Sequence, residues 1–373
     1  MNVLLVNNYS MERAYDLWKK GISGSHHVWG KVELDQEGTV NVIVLPHEKH
    51  KWINKLGKFF GITHLDQQIR ILFHLNSFDV LYAPYFLANL RLILFLKFLG
   101  IFNKPIVICV HQSFGKSKYN NSVTKSISKL ILDQIEGAVF LSEPLYRKIM
   151  TNIGLEKDSY GDKFTTAQWG PDISYYERFC LTRIPFNSCE FFISAGHTDR
   201  DFETIIEAFR GLPYRLKIFC TPTSLPKTKD IPANVEVNWE VTYSKDLIPF
   251  YQKAIAILIP LKLPPNTDGC QGMTSIQDVL TFGKPTVITT NPCLNINVEE
   301  EGIGFNVAMN DVNRWKEKII LLATNEEIWE KMSQNSSDLF LNKVNSKIFA
   351  DHLGEVFEIV FAREKSMSKV YNL

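Results

Sequence analysis

Short, uninterrupted apolar runs alternate along this chain with longer stretches whose apolar residues recur at helical spacing. The first series of runs is Val3–Val6, Val40–Leu45, Val80–Ala83, Ile106–Val110 and Ala138–Leu141. The second is Phe191–Ala195, Leu216–Cys220, Val235–Asn238, Ile255–Ile259 and Thr286–Thr289. They are rich in Val, Ile and Phe and show little alternation of apolar with polar. That pattern predicts strands covered on both faces, as in parallel sheets flanked by helices. The segments between them are long enough for crossover helices. Ile127–Glu136, Asp201–Phe209 and Ser244–Ala254 carry helical spacing.

The two series are separated near Trp169–Pro185, where Trp169-Gly170-Pro171-Asp172 opens an irregular stretch suited to an interdomain linker. The expected organisation is two α/β domains, residues 1–176 and 177–349. From about Asn325 the pattern is helical almost to the end, with Asp351–Arg363 strongly amphipathic. A helix over about 350–373 is expected to pack back on the first domain. A length of 373 residues suits two domains, each with its own core. Ligands of open parallel sheets bind at the carboxyl ends of the strands, so the chemistry is expected there.

Composition narrows the class. Apolar residues make up 45% and charged residues 22%, which excludes wholesale disorder. The stretch Phe86–Phe102 is the most apolar, but Arg91 and Lys97 interrupt it, so no transmembrane helix is expected. The start, MNVLLVNNYS, lacks the basic region and long apolar run of a signal peptide. Cys109, Cys180, Cys189, Cys220, Cys270 and Cys293 form no CxxC pair, and most lie in apolar surroundings. This favours reduced thiols and a cytoplasmic location over disulfides or zinc. Charge is uneven: Met1–Ile131 carry 16 Lys and Arg against 8 Asp and Glu, the remainder 25 against 32. A basic first half can attract anionic partners such as lipid headgroups. Lys49, Lys51, Lys55 and Lys58 interleave with Trp52, Phe59 and Phe60, and Arg91, Lys97 and Lys104 flank Leu90–Phe102, a pattern that fits peripheral contact with a membrane surface.

Asp268-Gly269-Cys270-Gln271-Gly272-Met273-Thr274 runs from a Gly-containing loop into a helix, which a Phe282-Gly283-Lys284-Pro285 turn ends before the next strand. Such a junction offers free backbone N–H groups and the positive end of the helix dipole, a natural diphosphate site. Asp278 falls one turn further in, where a carboxylate can accept from a ribose diol. The plainer reading makes Thr274 or Ser275 an N-cap and Asp278 a solvated residue. A second loop, Gly21–Gly30, is rich in Gly and Ser. Gly24 allows close backbone approach there, and His26 or His27 can act on an acceptor hydroxyl. No Cys, Asp or Glu stands beside that pair at zinc-ligand spacing.

These segments carry a family resemblance. Asp278-Val279-Leu280-Thr281-Phe282-Gly283-Lys284-Pro285 resembles the Glu-Ala-Met-Ala-x-Gly-Lys-Pro signature of GT-B glycosyltransferases, especially retaining family 4. Phe191–Ala208 resembles the strand, loop and helix that open the family's second domain. Looser matches in family order are Phe78–Pro84, Ile106–Gln112, Phe140–Glu143 and Trp169–Asp172. The resemblance implies an α/β GT-B architecture, two Rossmann-like domains facing across a cleft. It implies transfer of a sugar from a UDP- or GDP-type donor to a glycan or lipid-linked acceptor, with no cofactor and no metal. In that family basic side chains grip the diphosphate. The resemblance places Gly196, His197, Arg200, Gln271, Gly272, Met273, Thr274 and Asp278 at the donor, with Gly24 approaching its phosphates. It places His111 at the reacting carbon, and His26 and His27 on the acceptor side. His197 stands where the family has Arg. The family's first acidic residue falls on Cys270, which cannot accept from sugar hydroxyls as a carboxylate does. Asp268 or Gln271 could take over. That departure keeps two alternatives open: a catalytically silent GT-B-like binding protein, and a sugar-nucleotide epimerase of the same architecture. A nucleic-acid partner is not expected. Nor is a dinucleotide oxidoreductase, since no G-x-G-x-x-G follows the first strand.

Overall fold

The computed structural model describes residues 1–84, 90–113, 122–179, 184–240 and 244–371. Cys180 and Phe86, both used in the sequence reading, lie outside them. The chain divides into two compact units, residues 1–172 with 346–373, and residues 173–345. Both divisions fall a few residues before the expected positions.

The first unit carries a six-stranded parallel sheet of β1 (Asn2–Leu5), β2 (Asn41–Val44), β3 (Val80–Ala83), β4 (Ile106–Val110), β5 (Gly137–Phe140) and β6 (Phe164–Thr166), in the order β2-β1-β3-β4-β5-β6. The second carries β7 (Phe191–Ala195), β8 (Leu216–Phe219), β9 (Val235–Asn238), β10 (Ala254–Ile259), β11 (Thr286–Thr289) and β12 (Gly304–Val307), in the order β12-β11-β10-β7-β8-β9.

The lack of alternation has a direct cause in the second unit. Phe191, Ile193 and Ala195 of β7 enter the core on one face of the sheet, and Phe192 enters the core on the other. Ala254, Ile257 and Ile259 of β10 likewise oppose Ala256 and Leu258. Successive side chains on a strand point to opposite faces, so a strand buried on both must be apolar throughout. Each fully buried Ile, Leu or Phe contributes about 1.5–3 kcal/mol.

The sequence reading finds every strand but β6 and β12. Both are edge strands, and both mix buried with half-buried positions, so neither leaves a continuous apolar run. The single helical stretch expected after Asn325 is two helices, Glu326–Asn342 and Ser346–Tyr371. Between them Asn345 donates its side-chain amide to the carbonyls of Phe340 and Leu341, both at 3.2 Å, taking up C-terminal carbonyls of the first helix. The segment expected at Ser244–Ala254 is a single 3-10 turn, Ser244–Leu247, followed by the short helix Ile248–Gln252.

The helix Ser346–Tyr371 packs within the first unit. Phe357 meets the Tyr82 ring of β3 edge to face at 5.2 Å. At Gly137 of β5 a Cβ would stand 3.0 Å from Val356 and Val360 and 3.2 Å from Val107, so any side chain there presses on three Val methyls where the helix crosses the strand. Both chain crossings are fastened in the same unit. Ser346 N–H donates to Pro171 O at 2.9 Å, and Ser25 N–H donates to the Asp172 carboxylate at 2.8 Å. Among the described residues no helix is long and apolar enough to cross a membrane.

Replacing Gly137 by Val overfills this contact. Urea denaturation followed by tryptophan fluorescence should show the variant less stable by about 1–3 kcal/mol.

Candidate functional site

In the second sheet the chain runs β7, β8, β9 to one side and then crosses to β10 on the other, so strand order reverses between β7 and β10. Such a reversal is where the loops at the strands' carboxyl ends part and leave room for a ligand. Here those loops are tied to each other. Arg200 pairs antiparallel with Leu261, Asp201 N–H donates to Pro260 O at 3.1 Å, and Lys262 N–H donates to Asp199 O at 2.8 Å. Asp201 then caps the helix Phe202–Phe209, accepting from Thr204 N–H at 3.3 Å and from the Thr204 hydroxyl at 2.7 Å. The cap fixes where the loop ends.

This frame aims the Arg200 side chain back over Gly196. Gly196 has φ +149, and a Cβ there would stand 2.3 Å from Arg200 Nε and 2.6 Å from Nη2. Glycine is needed for backbone angle and for space alike. The guanidinium donates from Nη1 to Thr198 O at 3.1 Å and from Nη2 to Ser275 Oγ at 2.7 Å. Its Nε is buried and has no partner among the described residues. Burial lowers the Arg200 pKa, while Tyr251, Asp278 and Asp199 push it the other way. The group stays charged and is short of hydrogen-bond acceptors.

Ser275 lies in the first turn of the helix Met273–Thr281. Gly272, at φ +97, is the N-cap, and no side chain caps this end. The plainer reading with Thr274 or Ser275 as N-cap therefore does not hold: Ser275 serves Arg200 instead. The Met273 N–H is taken by Cys270 O at 3.0 Å, and the N–H groups of Thr274 and Ser275, with the positive end of the dipole, are left beside a guanidinium. The loop before the helix is held from behind. Asn291 donates its amide to Gly269 O at 3.1 Å and to Gln271 O at 2.9 Å. The Cys270 thiol donates to Cys293 O at 3.4 Å, and the Cys293 thiol to Thr267 O at 3.3 Å.

Asp278 accepts from the Tyr251 hydroxyl at 2.9 Å. Burial pushes its carboxyl up to about 7, against the lowering effects of Tyr251 and Arg200. Burial and the adjoining carboxylate raise the Tyr251 hydroxyl well above its ordinary value, so it stays a donor. Tyr251 uses one of about four lone pairs that a carboxylate presents.

The structure thus brings together Gly196, Arg200, Gly272 and the start of its helix, with Asp278 one turn further in. His197 and Thr274 are exposed, and Met273 and Gln271 half-buried, with Gln271 Oε1 unpartnered among the described residues. Cys270 is buried in the loop it braces, and Asp268 beside it is half-buried. Ser275, Tyr251 and Asn291 were missed as partners. Ser275 shows its role only once Arg200 reaches it, and Tyr251 stands 27 residues from Asp278 on a short helix.

In the first unit His111 follows β4 directly and is half-buried. Burial pushes its imidazole down to about 4, so it is neutral near pH 7. His26 is buried: its Nδ1 accepts from Asp172 N–H at 3.2 Å, and its carbonyl accepts from Trp169 Nε1 at 3.1 Å. Burial and then the neighbouring His27 hold its pKa well below the ordinary range. His27, 4.1 Å from it ring to ring, is pushed by burial to about 4. Gly24 is filled from inside, since a Cβ there would meet the His26 ring at 2.6 Å and Asp172 Cβ at 3.0 Å. Among the described residues no three or more His, Cys, Asp or Glu side chains are grouped to hold a metal ion.

No family model matches the sequence, and no curated protein matches it. Solved structures match over nearly the whole chain. The crystal structure of Anabaena HepE in complex with UDP and glucose covers 96% of this chain and 99% of its own, at 12% identity and a TM-score of 0.61. Sucrose-phosphate synthase from Thermosynechococcus elongatus covers 97% and 99%, at 13% identity and a TM-score of 0.64. A glycosyltransferase from Rickettsia africae covers 96% and 98%, at 14% identity and a TM-score of 0.63. At such identities the likeness is one of fold, and the fold is the GT-B architecture that the sequence resemblance implied.

Asp278 makes stability depend on pH. A carboxyl with a higher pKa folded than unfolded stabilises the fold while protonated. That contribution is complete below the unfolded value of about 3.9 and is lost as pH rises through about 7. Asp278→Asn keeps an acceptor for Tyr251 and never ionises. Between about pH 5 and pH 8 the difference in unfolding free energy should widen in favour of the Asn variant, by about 2–3 kcal/mol. A difference that stays flat with pH would show that Asp278 is ionised throughout.

Proposed function

We propose that this protein transfers a sugar from a nucleoside diphosphate sugar of UDP or GDP type to an acceptor hydroxyl, with retention of configuration and without a divalent metal. The observation that carries this reading is the Arg200 guanidinium, laid over Gly196 beside an uncapped helix N-terminus. Two sources of positive potential converge there, and both present N–H donors. A diphosphate leaving group gains negative charge as the glycosidic bond breaks, and fixed donors stabilise that charge without reorganising. Because Arg200 and the helix start supply the positive charge, the reading needs no metal ion to neutralise the leaving group. Asp278, beyond the first turn, is the acceptor proposed for the ribose diol. His197, Gln271, Met273 and Thr274 are proposed to line the donor, and Gly24 to approach its phosphates.

The fold neighbours support the donor class. HepE has been solved with UDP, with UDP and glucose, and with UDP-glucose, and a glycosyltransferase, VinC, with dTDP. His111 is proposed as the group at the reacting carbon: neutral near pH 7, it can donate or accept a hydrogen bond there. His26 and His27 are proposed on the acceptor side, a glycan or lipid-linked glycan. His26 would act through the turn it braces, since its Nδ1 is committed to Asp172.

A second reading has its own observation. Cys270 occupies the position of the family's first acid and is buried in the loop's support, which favours a catalytically silent GT-B-like protein that binds a glycan or a partner.

Calorimetric titration with UDP and GDP, followed by a transfer assay over a panel of sugar nucleotides, separates the readings. Binding with transfer, unaffected by EDTA, is the expected result. Arg200→Ala should weaken nucleotide binding about 10- to 100-fold, the worth of one or two charge-assisted hydrogen bonds. Arg200→Lys should fall between, since it keeps the charge and loses the fork. Binding without transfer or hydrolysis would select the silent protein. No binding of either nucleotide would overturn the donor site itself.

A further inference from the structure

The helix Lys51–Phe59 is amphipathic with its stripes inverted. A surface helix normally turns its apolar stripe to the core. Here Trp52, Leu56 and Phe59, spaced i, i+4, i+7, face solvent, with Trp52 67% and Phe59 84% exposed, and Phe60 follows at 65%. The side turned inward holds Gly57, whose added Cβ would stand 2.6 Å from Leu65 Cβ. Lys51, Lys55 and Lys58 repeat the same spacing one residue earlier and are exposed beside the apolar stripe. Among the described residues none of the three makes an ion pair. Glu48 is the one acidic residue between positions 47 and 62, and it accepts from Asn54 at 2.7 Å.

A second group of exposed apolar residues follows Arg91. Arg91 Nη1 donates to Gly61 O at 2.7 Å, which joins the Phe59-Phe60 turn to the start of the helix Arg91–Phe98. Phe95, Phe98, Leu99 and Ile101 are exposed there in turn. Exposed apolar groups gathered along one helix face, as at Trp52, Leu56 and Phe59, mark a site of contact.

We propose that this face docks the first unit on a lipid bilayer bearing anionic headgroups. Trp52, Leu56, Phe59 and Phe60 enter the boundary between headgroups and acyl chains, and Lys51, Lys55 and Lys58 meet the anionic lipids. Charge decides the occupant. A second copy of the chain seated on this face would set lysines against lysines, whereas an anionic bilayer complements them while taking up the aromatics. The docking is independent of the donor reading and needs no nucleotide, so failure of one leaves the other standing.

The test is cosedimentation of the full chain with large vesicles, without nucleotide. Binding to phosphatidylcholine–phosphatidylglycerol vesicles is expected, with little binding to phosphatidylcholine alone. Salt should release the protein as the screening length falls towards about 3 Å at 1 M. The triple variant Lys51→Gln, Lys55→Gln, Lys58→Gln should lose about fivefold per lysine, or about 100-fold in all. Trp52→Ser with Phe59→Ser removes the other half of the contact and should weaken binding at fixed charge. All five side chains are exposed, so circular dichroism and the unfolding midpoint should stay as in the parent. Equal binding to neutral and anionic vesicles, or no effect of the lysine triple, would overturn the proposal. So would a dimer in solution that Phe59→Ser dissolves, with no vesicle binding by the parent.

Discussion

The second unit is organised around one placement: a guanidinium lying on a backbone that has no side chain. Arg200 rests where a Cβ on Gly196 would be, and this single contact needs several others. It needs the antiparallel pairing of Arg200 with Leu261 to hold the loop after β7 against the loop after β10. It needs Asp201 to begin the next helix at once, and Ser275 to be free of capping duty so that its hydroxyl can accept. A charged group that is largely withdrawn from water and not fully hydrogen-bonded is costly. The fold retains one beside the end of a helix dipole that repels it, which is intelligible if an anion relieves both.

Much of this was legible in the sequence. Strands buried on both faces announce themselves by composition, and the central strands of the second unit were legible because their residues serve two cores. β6 and β12 were not legible because Thr165, Thr166, Gly304 and Asn306 leave them no apolar run. At the site, the Gly-containing loop entering a helix, Asp278 and Arg200 were all visible. The partners that tune them were not, because hydrogen bonds such as Tyr251 to Asp278 join positions that no periodicity links. Local pattern reports what a segment buries; it does not report which distant side chain completes a hydrogen bond.

Cys270 shows the same limit from the other side. From the resemblance it reads as a lost acid. In the structure it is one of several braces, with Asn291 and Cys293, behind the loop that feeds the helix start. A thiol suits that role: it is compact, tolerates burial, and donates weakly to a carbonyl without the cost of burying a carboxylate.

The fastening of residues 171 and 346 also governs the order in which the molecule can be made. The second unit is one continuous stretch inserted into the first, and its two ends leave side by side at the Pro171–Ser346 hydrogen bond. On the ribosome the sheet of the first unit therefore waits for a helix encoded well over a hundred residues downstream, while everything the second unit needs has already emerged. Once folded, that inserted unit presents its ends as a short staple in place of a long floppy loop, lowering the entropy cost of closing the first unit. The second unit is thus complete in sequence before the last helix of its host begins.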